Sequence, residues 1–422
     1  MKENLRIILR SLGVLTLIVI LFCYAMFQGG FVSWFLFYGY LPIGIYQLLF
    51  ASYPLRAWQI YREIENPVCQ AGDEIVVKVH LKRKLPFPLL YCTFEEKFPQ
   101  SLMKEDTKKA KYLSSQASGQ MTVSRRLIRM LFPLFRRNFT FSYSIQSLPR
   151  GEHVLDKVTI QTGDIFGFIK KSRDFQVENT FAVYPYEHEL RLVSDMASYE
   201  QGGVLSNQLQ HMNTTVASGA REYAPGDRFA WIDWKQTARK QTMMTKEFDR
   251  EKSMDILLVH DNFMNGNKNE LIYEASIEMS LSFIEKIAKK DYQTSFLSIG
   301  ERPHVLELGQ SEQQMERMKH YLLTARGEQE GSFSIRFREE MAHFHQADII
   351  FLIVTSIDPQ FVQAIQEARQ RMKHLSIIYI HPEKVLPDTE KHLLEPLRFS
   401  GIAVQQLSME QLAADPVEVI FK

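Results

Sequence analysis

The chain begins with two long runs of apolar residues that contain no charged side chain. The first extends over Ser11–Phe27 and the second over Phe31–Tyr53. Each is close to the roughly 20 residues that a helix needs to cross a bilayer. Only three residues, 28–30, separate them, so the pattern predicts a tight hairpin of two transmembrane helices over residues 1–55.

Basic residues flank both outer ends of this hairpin: Lys2, Arg6 and Arg10 precede it, and Arg56 and Arg62 follow it. Positive flanks face the cytoplasm. We therefore expect a cell-membrane protein with two helices whose N-terminus and soluble portion are both cytoplasmic. A cleaved signal peptide is the main alternative, but the second run follows directly and no small-x-small cleavage site separates the two. A buried hairpin of a soluble protein fits two adjacent uncharged runs less well.

From residue 56 to about residue 200 the pattern changes to a period of two. In Ile75–Leu81 apolar and polar positions alternate, which predicts a half-buried strand. Further strands are predicted from Phe139, Val158 and Phe181, with Gly and Pro residues between them. These features indicate a β-sandwich-like domain over residues 56–200.

Positive charge is concentrated in this β region. Between Lys78 and Arg137 there are 14 Lys and Arg residues against four acidic ones, although the whole chain has a formal charge of only +1. Behind a spanning helix, such a surface suits anionic headgroups, and Arg125–Phe139 is a candidate interfacial segment. A solvated β surface is the equally open alternative. Nucleic-acid binding is not expected, because the rest of the chain is net acidic.

The densest group of charged and aromatic residues lies within Ser218–Lys240, in a predicted junction over residues 201–253. Pro225-Gly226-Asp227 is a turn signature, and Asp233 is placed to accept hydrogen bonds from backbone N–H groups at the start of a short helix. The members of this candidate interaction or structural motif are Arg221, Tyr223, Pro225, Gly226, Asp227, Ile232, Asp233, Trp234, Lys235 and Arg239. Two roles stay open: a scaffold between two domains, and a recognition surface for a protein or an anionic ligand.

The sequence offers no recognisable catalytic centre. No Ser or Cys has a plausible His beside it, and glycine-rich phosphate loops, H-E-x-x-H and Cys/His clusters are not found. His343 and His345 are two positions apart and are predicted to be surface or capping residues. We therefore predict no catalytic residue and no enzyme.

The motif R-x-Y-x-P-G-D, followed by I-D-W-K-x-x-A-R, resembles the signature of the bacterial domain of unknown function 58 (DUF58) family. The stretches PRGEHVL, from Pro149, and GDIFGFIK, from Gly163, look like two further patterns of that family, and the resemblance covers nearly the whole chain. Ala230 stands where the family usually has Arg. The resemblance implies a membrane-associated protein with a von Willebrand factor A-like domain. Such proteins are commonly encoded beside MoxR-type AAA+ ATPases and transglutaminase-like membrane proteins.

Strand and helix patterns alternate over residues 254–422. Helices are predicted over residues 270–289 and 359–372, and strands are predicted to begin at Met254, Gln293, Asp348, Leu375 and Ile402. Continuous apolar strands between helices predict a mostly parallel sheet covered on both faces. By the resemblance, this is an α/β von Willebrand A-like, Rossmann-type domain.

Asp261 ends the first of these strands, where von Willebrand A domains place a D-x-S-x-S sequence that binds Mg²⁺ through oxygen ligands. Phe263 and Asn265 replace both serines, and Ser356 stands where an aspartate is expected. Asp358, two residues further on, is a weak substitute. Asp261 is thus a weak candidate metal ligand, and we expect no cofactor, Mg²⁺ included.

Together these features predict a membrane-anchored, non-enzymatic adaptor or scaffold in an envelope-linked process. It would present a degenerate von Willebrand A-like module to a cytosolic partner, by resemblance a MoxR-type AAA+ ATPase. The lipid bilayer and a transglutaminase-like membrane protein are the other expected partners. The alternative is a receptor or enzyme that binds an anionic ligand at the cluster from Arg221 to Arg239.

Overall fold

The computed structural model describes most of the chain as two compact units. The first comprises Met1–Lys111 and Gln120–Tyr186, and the second comprises Tyr112–Gly119 and Glu187–Lys422. The residues described are 2–113, 122–164, 166–194, 217–224, 232–248, 255–264, 269–288, 293–308, 311–341, 349–370, 372, 374–383 and 386–421.

The first unit begins with the predicted pair of apolar helices, α1 (Lys2–Gln28) and α2 (Phe31–Ser52). They form a hairpin that turns at Gly29, whose φ of +60° suits a residue without a Cβ. Both helices are long and apolar enough to cross a membrane. Only 11% and 17% of their apolar windows are buried by the protein, so most of their apolar side chains do not belong to a protein core.

Two sheets make up the rest of the first unit. Their strands are β1 (Trp58–Ile64), β2 (Val68–Gln70), β3 (Ile75–Arg83), β4 (Cys92–Lys97), β5 (Leu127–Leu131), β6 (Asn138–Ile145), β7 (Gly151–Gly163) and β8 (Lys170–Tyr184). One sheet has the order β1-β3-β6 and the other β2-β8-β7-β4-β5. The predicted alternation in β3 is confirmed, because Ile75, Val77, Val79 and Leu81 are buried in a core to which both sheets contribute.

An ion pair lies inside this core. Arg62 Nη1 donates to Glu96 Oε1 at 2.8 Å, with both side chains fully buried, and the Tyr143 hydroxyl donates to Glu96 Oε2 at 2.8 Å. Burial raises the pKa of the Glu96 carboxyl to about 7, while Arg62 and Tyr143 act to lower it. A second buried cation, Arg83, packs its guanidinium against the rings of Trp58 and Phe139.

The candidate interfacial segment divides into two parts. Its residues Leu127–Leu131 form β5, which pairs antiparallel with β4, so the expectation of an interfacial segment instead of a strand is wrong there. The following residues form a loop in which Phe132 and Phe135 are each 66% exposed. The sequence did not separate the two alternatives, because both faces of this edge strand are largely exposed and its residues show no period-two pattern.

A short helix, α3 (Ala110–Leu113), precedes β5 in the chain. Among the described residues, the second unit contains ten further strands and seven further α-helices. The strands are β9 (Leu190–Ser194), β10 (Ala217–Glu222), β11 (Met244–Phe248), β12 (Asp255–Asp261), β13 (Gln293–Ile299), β14 (His304–Leu308), β15 (Ile349–Val354), β16 (His374–His381), β17 (Ala403–Ser408) and β18 (Val417–Phe421). The helices are α4 (Trp234–Lys240), α5 (Glu270–Ala288), α6 (Glu312–Thr324), α7 (Phe333–Glu340), α8 (Pro359–Arg369), α9 (Asp388–Phe399) and α10 (Met409–Ala413).

Six of these strands form one mixed α/β sheet of order β14-β13-β12-β15-β16-β17. All neighbours are parallel except β13 and β14, which confirms the predicted mostly parallel sheet. After β12 the chain first adds β13 and β14 on one side of it, and then adds β15, β16 and β17 on the other side. Strand order therefore reverses between β12 and β15, where open α/β sheets place their ligand crevice.

Helix α5 is largely buried on every face, including at polar positions that its sequence pattern predicts to be exposed. Its polar residues Ser276, Glu278, Ser280 and Ser282 are at most 2% exposed. Glu278 Oε2 lies 2.9 Å from His188 Nε2, in a fully buried pair. Polar groups inside a protein must find partners. Ser280 bonds to a carbonyl of its own helix, whereas Ser276, Glu278 and Ser282 bond to residues outside α5.

Candidate functional site

The polar motif folds as a β-ribbon joined to a short helix. Strands β10 and β11 pair antiparallel, and α4 lies between them in the sequence. Asp233 caps α4, since its Oδ1 accepts from the backbone N–H groups of Lys235 at 3.0 Å and Gln236 at 3.1 Å. This confirms the predicted N-cap. The carboxylate satisfies two donors that a helix start otherwise leaves without partners.

Backbone hydrogen bonds fix the start of α4 to the ribbon. Ile232 is 4% exposed and bridges to Thr245 of β11, while the Asp233 N–H donates to the Met244 carbonyl at 2.8 Å. In return the Met244 N–H donates to Thr237 Oγ1 at 3.0 Å. These hydrogen bonds hold the start of α4 against β11.

Other members of the motif point outward. Trp234 is 69% exposed, and Arg221, Lys235 and Arg239 are also exposed. A large indole beside several cations can cover an apolar spot on a partner and pair with acidic groups around it. Pro225, Gly226 and Asp227 lie outside the described residues.

The second candidate position, Asp261, lies at the carboxyl end of β12 beside the point where strand order reverses. Its Oδ1 accepts from the Phe263 N–H at 3.0 Å, and its Oδ2 accepts from Thr355 Oγ1 at 3.4 Å. The side chain is fully buried. Burial raises the pKa of Asp261 to about 7, against the lowering effect of these hydrogen bonds.

The loop after Asp261 is held from both sides. Asn262 Oδ1 accepts from the Tyr273 hydroxyl at 2.7 Å, and its backbone carbonyl accepts from the Glu328 N–H at 2.9 Å. Phe263 is 2% exposed and belongs to the core of the sheet. Its ring packs so closely on Gly331 that a Cβ there would lie 2.4 Å from Phe263 Cε1.

The comparisons with known proteins bear on both positions. The family described as protein of unknown function DUF58 matches residues 219–397, which include the ribbon, α4 and Asp261. YeaD of Bacillus subtilis (strain 168), described as an uncharacterized protein, is 35% identical over 334 residues, which are 78% of each chain. The chain belongs to the DUF58 family.

Solved structures add nothing to this assignment. Proximal thread matrix protein 1 from the mussel byssus matches at 10% identity and a TM-score of 0.28, over 38% of this chain and 44% of its own. A CARDB domain from Pyrococcus furiosus matches at 8% identity and a TM-score of 0.16, over 30% of this chain and 91% of its own. Neither score is high enough to bear on the fold of this DUF58 member.

The residues around Asp261 do not fit a Mg²⁺ site. Mg²⁺ requires near-octahedral oxygen coordination and usually keeps several waters. Both Asp261 oxygens accept hydrogen bonds from the protein, and Phe263 places a buried ring after the strand. Asp358, the weak substitute, caps α8 and accepts from Ser334 Oγ at 3.0 Å. Among the described residues, no group of three or more His, Cys, Asp or Glu side chains is arranged to hold a metal.

Sequence analysis missed Glu328 among the partners that close this end of the sheet. Glu328 is 67 positions away from Asp261 and lies in no recognisable motif, whereas Thr355, 94 positions away, directly precedes Ser356, which was compared with the von Willebrand A pattern. The one available signal was the apolar Phe263 directly after a buried strand end, because a large ring at that position must itself be buried. Asp261 and the motif both lie within the family region.

Proposed function

We propose that this DUF58 protein is a membrane-anchored, non-enzymatic adaptor. Helices α1 and α2 hold it in the cell membrane with the soluble portion in the cytoplasm, and the second unit binds a cytosolic protein. Family resemblance makes a MoxR-type AAA+ ATPase the expected partner, with a transglutaminase-like membrane protein as a further one. The lipid bilayer is the third partner.

The strand order supports a von Willebrand A-like, Rossmann-type module in the second unit. Counted from β12, the sheet reads 3-2-1-4-5-6, which is the order of doubly wound nucleotide-binding folds. An antiparallel edge strand, here β14, is common on such sheets. Fold does not imply function, so the function rests on the surface that this module exposes.

The observation that carries the proposal is a contrast between the two candidate positions. The strand end at Asp261 is closed by Phe263 and Glu328, whereas α4 exposes Trp234 over 69% of its surface on a rigid ribbon. Trp and Arg are the residues most enriched among those that dominate binding energy at protein interfaces. We therefore assign partner binding to the exposed side of α4, without a metal.

The test uses the full-length protein in detergent, mixed with a purified MoxR-type ATPase from the same cell. We expect binding that Trp234→Ala weakens at least tenfold. Phe399→Ala is the matched control, because Phe399 is an aromatic residue that is 90% exposed elsewhere in the second unit. Thermal unfolding of each variant verifies that it is folded.

Two results would contradict this assignment. Equal losses for Trp234→Ala and Phe399→Ala would remove α4 as the binding surface. Absence of binding between the wild-type protein and the MoxR-type ATPase would contradict the proposed partner.

The exposed cations favour one second candidate, a receptor or enzyme for an anionic ligand at the cluster from Arg221 to Arg239. Arg221, Lys235 and Arg239 are all exposed basic residues. A receptor predicts saturable thermal stabilisation by an anionic metabolite, lost when Arg239 is changed to Gln. The adaptor predicts no such stabilisation.

A further inference from the structure

Two loops of the first unit, one between β3 and β4 and one between β7 and β8, contact the last turns of α2. The Tyr46 hydroxyl donates to the Pro88 carbonyl at 3.1 Å, and its ring stacks on Phe87 with centroids 5.6 Å apart. Gln47 Nε2 donates to Asp164 Oδ2 at 3.3 Å. Phe50 is fully buried in the core of the sheets. The last turns of α2 are thus packed into the β domain and do not form a separate linker to it.

This grip shortens the part of α2 that is available to lipid. The helix has 22 residues, and the grip lies along one face of its last seven, Tyr46–Ser52, where Leu49 on the other face is 57% exposed. The remaining 15 residues span only about 22 Å at 1.5 Å per residue, which is less than the roughly 30 Å of a hydrocarbon core. If α2 crosses a bilayer, the loops that grip it must reach the membrane surface.

The neighbouring helix indicates the same depth. A Cβ on Gly44 would lie 2.7 Å from Ile18 Cδ1, so these two positions are level in the antiparallel pair. The gripped turn from Tyr46 to Phe50 is therefore level with the α1 turn that contains Leu12 and Leu15. Those two leucines are 57% and 48% exposed, as expected for side chains that face lipid.

The gripping loops themselves expose large apolar side chains. Leu85 lies beside Phe87, and its carbonyl accepts from the Tyr53 hydroxyl at 3.1 Å. A third loop, between β5 and β6, is joined to the β3–β4 loop by backbone hydrogen bonds between Leu134 and Leu89. The exposed apolar residues of the three loops are Leu85 (52%), Phe132 (66%), Leu134 (49%), Phe135 (66%), Phe166 (51%) and Phe168 (59%). We name these six side chains the collar.

The charges around the collar are positive. Lys82, Lys84, Arg136, Arg137 and Lys170 are exposed in or directly beside the three loops. The stretches 82–91 and 132–137 contain no acidic residue, and the acid of the third loop, Asp164, is fully buried. Aromatic and apolar side chains rimmed by Lys and Arg fit the surface of a membrane rich in anionic lipid.

We propose that the collar inserts into the headgroup layer of an anionic membrane. The β domain of the first unit would then contact the bilayer surface directly, in addition to its connection through α2. This inference rests on the proposed membrane anchoring by α1 and α2. Lipid is the occupant, because the collar continues the apolar surface of α1 and α2 and has basic residues at its rim.

The test places a tryptophan in the collar of the full-length protein, in vesicles of phosphatidylcholine with 30% phosphatidylglycerol. Brominated lipids quench tryptophan that touches acyl chains. We expect the emission added by Phe135→Trp to be quenched at least twofold more than the emission added by Phe399→Trp, the exposed control in the second unit. Arg136→Glu with Arg137→Glu should reduce the quenching at Phe135→Trp when anionic lipid is present.

Each other outcome has a distinct meaning. Resistance of all variants to carbonate extraction with no extra quenching at Phe135→Trp overturns the collar and leaves the anchoring intact. Extraction of the wild-type protein by carbonate overturns the anchoring itself. Shielding of Phe135→Trp from both brominated lipid and soluble iodide, together with dimers that scale with protein concentration, overturns the collar in favour of contact with a second copy.

Discussion

Asp261 carries a carboxyl group whose two oxygens are both engaged by its own protein. Phe263 and Thr355 supply the donors, and the group is fully buried. An ionised carboxylate without solvent is costly unless the protein replaces every lost hydrogen bond. The residue therefore shapes the strand end and has a measurable effect on the pH dependence of stability.

The pKa of Asp261 is about 7 in the folded protein and about 4 in an unfolded chain. The folded state thus binds the proton more tightly, so the free energy of unfolding should fall as pH rises from about 4 to about 7, by up to roughly 1.4 kcal/mol per pH unit. Asp261→Asn should remove this slope. Between pH 5 and pH 8 the Tm of Asp261→Asn should therefore rise relative to the Tm of the wild-type protein.

Asp388→Asn is the control for that titration, because Asp388 is an exposed carboxylate whose pKa is lowered by Lys391. It should not reproduce the change. An Asp261→Asn variant that follows the wild-type protein at every pH would contradict a raised pKa at this position.

By the resemblance to von Willebrand A domains, Phe263 is expected to stand where their metal-binding sequence has a serine. Phe263→Ser should cost about 3–5 kcal/mol of stability, because it leaves a cavity in the core. It should confer no stabilisation by Mg²⁺, since Phe263 faces the core and Asp261 is already satisfied by hydrogen bonds. Unfolding with and without 5 mM Mg²⁺ measures both effects, and a Mg²⁺-dependent rise in Tm would contradict the closed strand end.

At the scale of elements, α4 is short and depends on its cap. An isolated helix of seven residues is unstable in water, so the hydrogen bonds from Asp233 and from β11 hold it. The same helix carries Trp234, so its local stability is relevant to the proposed partner binding.

Asp233→Ala should destabilise this element by about 1 kcal/mol, whereas Asp233→Asn should retain most of the cap. Hydrogen exchange of the amides of residues 235–240 should be faster in the alanine variant alone. Equal exchange in the two variants would indicate that the cap is not what holds α4.

The ion pair between Arg62 and Glu96 joins two strands of different sheets. Glu96→Ala should destabilise the first unit by about 3–5 kcal/mol, because it leaves Arg62 buried without its carboxylate. The double variant Arg62→Met, Glu96→Leu should be more stable than Glu96→Ala, as measured by thermal unfolding in detergent. If the double variant is as unstable as Glu96→Ala, the loss of stability comes from altered packing and not from the unpaired charge of Arg62.

Elements with a local signal were predictable from the sequence. The strands from Ile75 and Met254 and the helix from Pro359 were confirmed, because their periodicity reflects which face is buried. Strands β9 and β18 were not recognised as partners, since their pairing joins Leu190 to Val417. No local pattern encodes a contact between residues so far apart.

On the scale of the whole molecule, the proposed topology has a direct test. In a chain whose three native cysteines are replaced by alanine, Gly30→Cys lies in the turn between α1 and α2, and Phe399→Cys lies on the second unit. A membrane-impermeant maleimide should label Gly30→Cys in intact cells and Phe399→Cys only after permeabilisation. The reverse labelling pattern would place the soluble portion outside the cytoplasm.

The sequence by itself determined the two apolar helices, the alternation of strands and helices after residue 254, the cap at Asp233 and the family. Each depends on residues that are close together along the chain, where periodicity and capping chemistry are visible. Only the tertiary structure decided that Asp261 is enclosed, that Arg62 meets Glu96, and that loops grip the end of α2. These features depend on residues far apart in sequence, such as Gln47 and Asp164, which only folding brings within hydrogen-bond distance.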